Sequence, residues 1–307
     1  MVNRESKFEE LLESAYCHTV RELGLENAKP SLRTEFVNLH KAHDAIHEFM
    51  LLAPLLFPSQ ANEEISWHRK SAFLVYHWEA FNHAHRSLIE ALCAYYNVAF
   101  ALLRVTLELL IKGAFWECLS HKRFREKSKV LDEDKRGRKI KEWLDEIFSR
   151  APYVVEEFER TSASIYDKIS PIIEDSEFRP DVKTIVRQLQ HWGIFNPVPD
   201  PTTSIYKEIY GRLSADVHII PDRTDIGKRI LNAPNQIFDQ KVFQKALSEY
   251  AHCLHEVMDL AIVIELNIMG DLIEKYDEPK TNLRERLKSM GRLGLKNSLI
   301  KAKELLK

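Results

Sequence analysis

Arg212 and His218 carry the two side-chain types that cleavage of a phosphodiester without a metal ion requires, and five residues separate them. A guanidinium holds phosphate oxygens in a planar fork, and an imidazole moves protons near neutral pH. In RNA the adjacent 2′-hydroxyl is a built-in nucleophile. Positioning of the reacting groups and stabilisation of the developing charge then accelerate cleavage. The pair therefore predicts RNA cleavage where both side chains meet.

The spacing of this pair is not specific by itself, because Arg33 and His40 are similarly spaced. On an ideal helix a six-residue step separates two side chains by about 120°, so Arg212 and His218 converge only where the helix ends or distorts. Pro221 makes such an ending plausible. Two structural interpretations stay open: Arg212 pairs with Asp216 one turn later, and His218 satisfies a helix C-terminus.

A second polar pattern lies in the apolar stretch 86–119. The helical spacing of its apolar residues predicts one helix about 50 Å long. Glu90, Asn97, Arg104 and Glu108 recur there at steps of seven, seven and four, which keeps them on one narrow stripe. The stripe is either the solvated edge of the helix, with Arg104 and Glu108 as an ion pair, or the lining of a polar cleft.

Thirteen histidines raise the question of a metal site. Glu249 and His252 form an ExxH unit, but a carboxylate-bridged di-iron bundle uses two such units. His83 and His85 point about 200° apart on a helix, which suits one ion poorly. The sequence therefore predicts no metal and no other cofactor, and a metal-dependent bundle enzyme built on Glu249 and His252 stays a third hypothesis.

The elements that must position these residues are helices, because the 3.6-residue period recurs along the chain and strand alternation is rare. Only nine glycines and twelve prolines interrupt it, so the predicted fold class is an all-α helical bundle. Ser31 and Asp181 are predicted N-caps. The predicted helices are 5–25, 32–52, 66–85, 86–119, 136–149, 162–176, 181–192, 202–217, 238–272, 280–290 and 294–306.

The composition of the 307 residues narrows the class of protein further. A formal charge of −2 excludes a uniformly basic nucleic-acid coat and an acidic solvating tail. Four cysteines without a CxxC pair favour a reducing compartment. The first residues have no secretory core, and Arg104 and Glu108 interrupt the most apolar stretch. We therefore expect a cytoplasmic protein that does not cross a membrane.

Charge is concentrated in two segments. Residues 120–141 hold ten Lys/Arg against four acids, and residues 280–307 hold nine against two. Both are either solvated helix faces or contacts for a phosphate backbone. The predicted organisation is an N-terminal helical extension (1–60), a helical core (61–275) and a basic amphipathic C-terminal segment (276–307). The RNA-backbone candidates are Lys122, Arg123, Arg125, Arg136 and Arg138.

The segment around Arg212 resembles the signature of the HEPN superfamily, all-α domains named for nucleotide binding in higher eukaryotes and prokaryotes. The resemblance rests on Tyr210, on Leu213-Ser214 after the arginine and on Val217-His218 before a proline-containing loop. The segment 100–108 also resembles the long helix of HEPN-like proteins from prokaryotic defence and toxin systems. Together the two segments place a HEPN-like core over about 70–275.

The resemblance implies a metal-independent endoribonuclease whose cleft forms where two HEPN domains meet. Arg212 and His218 would be the catalytic pair, and the products would carry a 2′,3′-cyclic phosphate and a 5′-hydroxyl. One signature per chain implies a homodimer. The implied context is a toxin or antiviral effector that acts on RNA or a nucleotide, with an antitoxin or another protein as a further partner. The supporting polar residues would be Arg104, Glu108, Tyr210, Ser214 and Asp216.

The sequence departs from the family pattern at one position. Many active members have Asn or another polar residue directly after the arginine, whereas this chain has Leu213. The departure leaves a second function open: a HEPN-like module that binds a nucleotide, RNA or a protein without cleaving RNA.

Overall fold

A computed structural model gives the architecture and describes residues 25–57, 71–147, 178–217 and 240–307, with isolated positions between 7 and 17. Within the four long ranges the chain forms thirteen helices and no strand. The predicted all-α helical bundle is thus confirmed. None of the helices in these ranges combines the length and apolar character that crossing a bilayer requires.

Twelve of the helices are α-helices, and one segment, Thr202–Tyr210, is a π-helix. In chain order the α-helices are α1 (Leu25–Leu55), α2 (Ala72–Leu92), α3 (Tyr96–Ser120), α4 (Lys122–Arg125), α5 (Lys129–Glu133), α6 (Lys135–Ile147), α7 (Val182–His191), α8 (Gly211–Val217), α9 (Gln240–Ile268), α10 (Gly270–Lys275), α11 (Asp277–Leu293) and α12 (Lys296–Leu305).

Helices α2 and α3 form an antiparallel hairpin, so the single helix predicted over 86–119 is wrong. The chain turns between them, where Ala94 has φ 64°. The sequence predicts that the helix continues through residue 94, because alanine rarely adopts this left-handed conformation. Beside the turn, the Ser87 hydroxyl donates to the Ala99 carbonyl at 2.8 Å. Folding back lets two apolar helices bury their surfaces against each other.

The other end of the hairpin is fixed by a buried carboxylate. Glu117 Oε2 on α3 accepts hydrogen bonds from Ser71 Oγ and from the Phe73 backbone N–H, each at 2.9 Å. It thereby satisfies donors at the N-terminus of α2. Close contact between the helices also needs Gly113, because a Cβ at that position would lie 2.6 Å from Tyr76 Cβ.

The long helix α9 packs along α1 and α3, and its apolar side chains fill the centre of the bundle. Two polar groups are fully buried there: His77 Nε2 lies 2.9 Å from Glu265 Oε1. Burial lowers the pKa of His77 to about 4 and raises the pKa of Glu265 well above its usual value. Burial therefore disfavours the charged form of both groups.

The basic C-terminal segment is folded against the rest of the bundle. The guanidinium of Arg286 on α11 pairs with the buried Glu48 carboxylate on α1, and Nε donates at 2.8 Å. Asp259 on α9 accepts the Ser298 backbone N–H at 2.9 Å, at the start of α12. Arg286 thus has a structural contact, while the division of the chain at residues 60 and 275 stays a prediction.

The two predicted caps have different outcomes. Asp181 caps α7, because its Oδ1 accepts the Thr184 N–H at 2.7 Å. Ser31 is not a cap: α1 begins at Leu25 and continues through Pro30, and Ser31 is buried within it. The predicted helix 162–176 lies outside the described residues.

Candidate functional site

The segment 202–217 changes its helical form just before Arg212. The π-helix Thr202–Tyr210 is followed directly by α8. Wide π-turns are rare in proteins and are frequent at functional sites. Along this segment the rings of Tyr206 and Tyr210 stack, with centroids 5.6 Å apart and planes 15° apart. The π-helix therefore directs a tyrosine pair toward α3 next to the predicted catalytic arginine.

Tyr210 closes a hydrogen-bonded ring with two polar residues of α3. Arg104 Nη2 donates to the Tyr210 hydroxyl at 2.8 Å, and this hydroxyl donates to Glu108 Oε1 at 3.1 Å. Arg104 Nε donates to the same oxygen at 3.0 Å, and Lys112 Nζ reaches Glu108 Oε2 at 3.2 Å. We call Arg104, Glu108, Lys112 and Tyr210 the tyrosine network.

The tyrosine network pairs one carboxylate with two cations. Burial raises the pKa of Glu108, but Lys112, Tyr210 and Arg104 outweigh burial and hold the pKa below its usual value. Burial and the Glu108 carboxylate raise the pKa of Tyr210. The side chains of Arg104 and Glu108 are 17% and 22% exposed. The network is therefore a half-buried ion pair with a neutral phenol, and the cleft interpretation stays a prediction.

The four-residue stripe predicted through this region is wrong at its first member. Because the chain turns at Ala94, Glu90 lies on α2, whereas Asn97, Arg104 and Glu108 lie on α3. The structure thus brings Arg104 and Glu108 together with Tyr210, and it separates Glu90 from them.

Arg212 points to a different neighbour, the helix α9. Its Nη2 donates to Glu256 Oε2 at 2.5 Å, and His252 Nε2 lies 3.3 Å from the other oxygen of Glu256. Burial lowers the pKa of Arg212, but Cys253 and the carboxylates of Glu256 and Glu249 more than offset it and raise the pKa. The guanidinium is thus permanently charged and held in place.

Two polar groups in this segment are buried and lack a partner among the described residues. They are the Nε–H of Arg212 and the hydroxyl of Ser214. Leu213 between them is fully buried in the hydrophobic core. The side chain of Asp216 and all of His218 lie outside the described residues, so the predicted Arg212–His218 pair stays a prediction.

Arg125, one of the five RNA-backbone candidates, is buried in the helical body. Its Nε donates to Asp145 Oδ1 at 2.8 Å, and its Nη1 donates to the carbonyls of Leu119 and Ser120 at 3.0 and 2.6 Å. These bonds close the turn after α3. The guanidinium is therefore not on the surface, where a phosphate backbone would have to reach it.

The other candidates in this segment lie at the surface where they are described. Arg123 pairs with Asp271 at 2.8 Å, and both side chains are about half exposed. Arg138 donates to the backbone carbonyl of Asp132 and remains exposed. Arg136 is also exposed. The side chain of Lys122 lies outside the described residues. Arg123, Arg136 and Arg138 are thus the candidates with described side chains that lie at the surface.

The ExxH unit has no matching ligands. Glu249 and His252 line an open groove with Glu35, Lys245 and Ser248. In the part of the chain that the structure describes, neither residue belongs to a group of three side chains placed to share an ion. The described residues therefore supply no further ligand for a metal-dependent enzyme built on this unit.

Three histidines form a cluster that the sequence analysis did not predict. His43 and His47 on α1 approach each other to 3.1 Å between their Nε2 atoms, and His85 on α2 completes the group. All three ligand atoms lie within 4.8 Å of one another. The signal was the His40/His43/His47 spacing, which places three imidazoles on one helix face. His85 could be added only by knowing how α1 and α2 pack.

Comparison with known proteins assigns no family to the chain. No family model, curated protein or solved structure matches the chain.

Proposed function

We propose that the chain is a metal-independent endoribonuclease of the HEPN type that acts as a homodimer. The observation that carries the proposal is the placement of Arg212. Its side chain is 30% exposed, it follows a π-helix, and a carboxylate of α9 fixes it in position. A fixed, partly solvated guanidinium is what recognition of a phosphate requires. The all-α bundle is consistent with the expected HEPN-like fold.

In this mechanism the 2′-oxygen of the RNA attacks the adjacent phosphorus, and the bond from phosphorus to the 5′-oxygen breaks. Arg212 stabilises the negative charge on the phosphorane. His218 takes the proton of the 2′-hydroxyl or delivers one to the departing 5′-oxygen. In a homodimer two copies of His218 are present, one for each proton transfer. The products carry a 2′,3′-cyclic phosphate and a 5′-hydroxyl.

The ion pair of Arg212 limits how a phosphate can bind. Glu256 occupies one Nη2 donor of a guanidinium that has five. A phosphate therefore binds beside the carboxylate or displaces it. Since carboxylate and phosphate repel each other, Glu256 sets the orientation of Arg212 and weakens ground-state binding of RNA.

An exposed apolar patch supports the homodimer. Ile89 is 58% exposed, and Leu92, Tyr95 and Val98 are exposed around the same turn between α2 and α3. Contiguous exposed apolar side chains are typical of protein–protein contacts. The replacement of Ile89 and Val98 by Glu should therefore shift the protein toward monomers in sedimentation experiments and lower the ribonuclease activity.

The central experiment incubates the purified protein with labelled RNA, with and without EDTA. We expect EDTA-resistant cleavage, and a loss of at least about 100-fold in the variants His218→Ala and Arg212→Ala. Arg212→Lys should also be impaired, because an ammonium lacks the planar fork. Arg33→Ala and His40→Ala, the other similarly spaced pair, serve as matched controls and should keep full activity.

Loss of activity in Arg212→Ala could come from an unpaired Glu256. The double variant Arg212→Ala/Glu256→Gln removes that charge, so it should fold and remain inactive. Cleavage retained by Arg212→Ala and His218→Ala, or cleavage abolished by EDTA, would contradict the proposal.

The burial of Leu213 favours a second candidate function. At the position where many active HEPN members have a polar residue, this chain packs leucine into the core. A module that binds a nucleotide or RNA through Arg212 without cleaving it needs no polar group there. Salt-sensitive binding of RNA without any cleavage, lost in Arg212→Ala, would establish this alternative.

A further inference from the structure

We infer that His43, His47 and His85 form a binding site for a divalent transition-metal ion, best matched by Zn²⁺, between α1 and α2. The site shares no residue with the tyrosine network or with Arg212. It therefore lies beyond the proposed ribonuclease chemistry, which uses no metal.

The positions of the ring nitrogens fit one ion. Four ligands at about 2.0 Å from a tetrahedral zinc lie about 3.3 Å from one another. The Nε2 atoms of His43 and His47 are already 3.1 Å apart. The remaining distances within the group are at most 4.8 Å. They have to shorten by about 1.5 Å at most, which side-chain rotation provides.

The chemistry of the three groups selects the class of metal. All three ligands are imidazoles, and among the described residues neither a carboxylate nor a thiolate completes the set. Imidazole suits zinc, copper and nickel, whereas magnesium and calcium require oxygen ligands. Burial, together with mutual repulsion of the rings, lowers the pKa of His47 and of His85. A metal ion binds the neutral form of an imidazole.

A neighbouring carboxylate lies beside one of the three rings. His43 Nδ1 lies 3.4 Å from Asp44 Oδ1, and His40 Nδ1 lies 3.3 Å from the other oxygen of the same carboxylate. Metal-ligating histidines use their second nitrogen in this way, which fixes the tautomer of the ring.

The surroundings leave one coordination position open. The Phe81 ring covers one side of the cluster, with its centroid 4.4 Å from that of His85. The side chain of His43 is 42% exposed, so solvent reaches the other side. Three histidines with one open position are the ligand set of catalytic zinc sites, in which water or a small anion is the fourth ligand.

The test is calorimetric titration of the metal-free, full-length protein with zinc sulfate. We expect one ion per chain, and affinity at least about 100-fold weaker in His47→Gln and in His85→Gln, since each removes a direct ligand. His83→Gln, two residues from His85 on the same helix, and His252→Gln are matched controls with unchanged affinity. Circular dichroism of each metal-free variant checks that it is folded.

Cobalt gives a second readout. Co²⁺ in a four-coordinate site absorbs visible light far more strongly than hydrated Co²⁺, and this band should vanish in the His47→Gln and His85→Gln variants. Zinc that binds equally well to the wild type and to both variants would overturn the proposal, as would failure to bind at about 100 μM zinc. EDTA-resistant ribonuclease activity has no bearing on either outcome.

Discussion

The tyrosine network and the histidine cluster are both half-buried groups of polar side chains at a helix–helix contact, but they differ in charge. In the network a carboxylate and two cations face one another, and a phenol bridges them. In the cluster three imidazoles face one another, and Asp44 is the carboxylate beside them. The network contains charges of both signs, whereas the cluster contains three rings that could each bind a cation.

This difference indicates what each region contributes. Groups that satisfy one another stabilise the folded chain and hold a helix in place. Groups that crowd together without mutual compensation contribute little to folding and are suited to a ligand. We therefore expect substitutions in the network to change stability, and substitutions in the cluster to change metal affinity.

The largest effect on stability is expected for Glu108→Ala. The change leaves Arg104, Lys112 and the Tyr210 hydroxyl without their common acceptor. Because the pair is partly exposed, the loss of unfolding free energy should be about 2 to 3 kcal/mol, below that for a fully buried pair. Urea unfolding at pH 7 measures it. Glu90→Ala, on α2, is the control and should change stability by less than about 0.5 kcal/mol.

Acidification gives an independent check of the same carboxylate. The pKa of Glu108 in the folded protein lies below its usual value of 4.5. Its stabilisation is therefore present above pH 4.5 and is lost as the pH falls through the folded value. Glu108→Gln should consequently lose less stability than the wild type on acidification below pH 4.5. Equal losses in both proteins would mean that Glu108 is not paired in solution.

The sequence could predict the parts of this comparison that depend on neighbours along the chain. The period predicts helices, the Asp181 cap follows from local chemistry, and the step from Arg104 to Glu108 predicts their pairing. These features need only residues three or four apart on one helix. For the same reason the all-α class is confirmed.

The parts of the structure that depend on tertiary contacts could not be predicted from the sequence. The turn at Ala94 has no glycine or proline, so the single helix over 86–119 was wrong, and with it the inclusion of Glu90. Burial of Arg125 depends on carbonyls exposed by the turn after α3. The contact between Arg212 and Glu256 joins residues 44 apart. Sequence spacing offers Asp216, one turn away, as an alternative partner and does not reveal Glu256, because it carries no information on which helix packs opposite.

A smaller effect is expected for Tyr210→Phe, which keeps the stacked ring and removes only the bridging hydroxyl. Arg104 and Glu108 still pair with each other, so the loss of unfolding free energy should be about 1 kcal/mol. Tyr206→Phe is the matched control, because this ring stacks on Tyr210 but its hydroxyl is not part of the ring of hydrogen bonds. Equal effects of the two variants would show that the bridging hydroxyl of Tyr210 adds no stability of its own to the contact with α3.

The smallest effect on stability is expected in the histidine cluster without metal. His43→Gln removes the hydrogen bond to His47, but it also removes a ring whose proximity lowers the pKa of His47. These contributions oppose each other, and the site is partly solvated, so the unfolding free energy should change by less than about 0.5 kcal/mol. With zinc in excess, only the wild type should gain stability, because the ion binds the folded state. A loss above about 1 kcal/mol without metal would make the cluster a structural network like that of Tyr210.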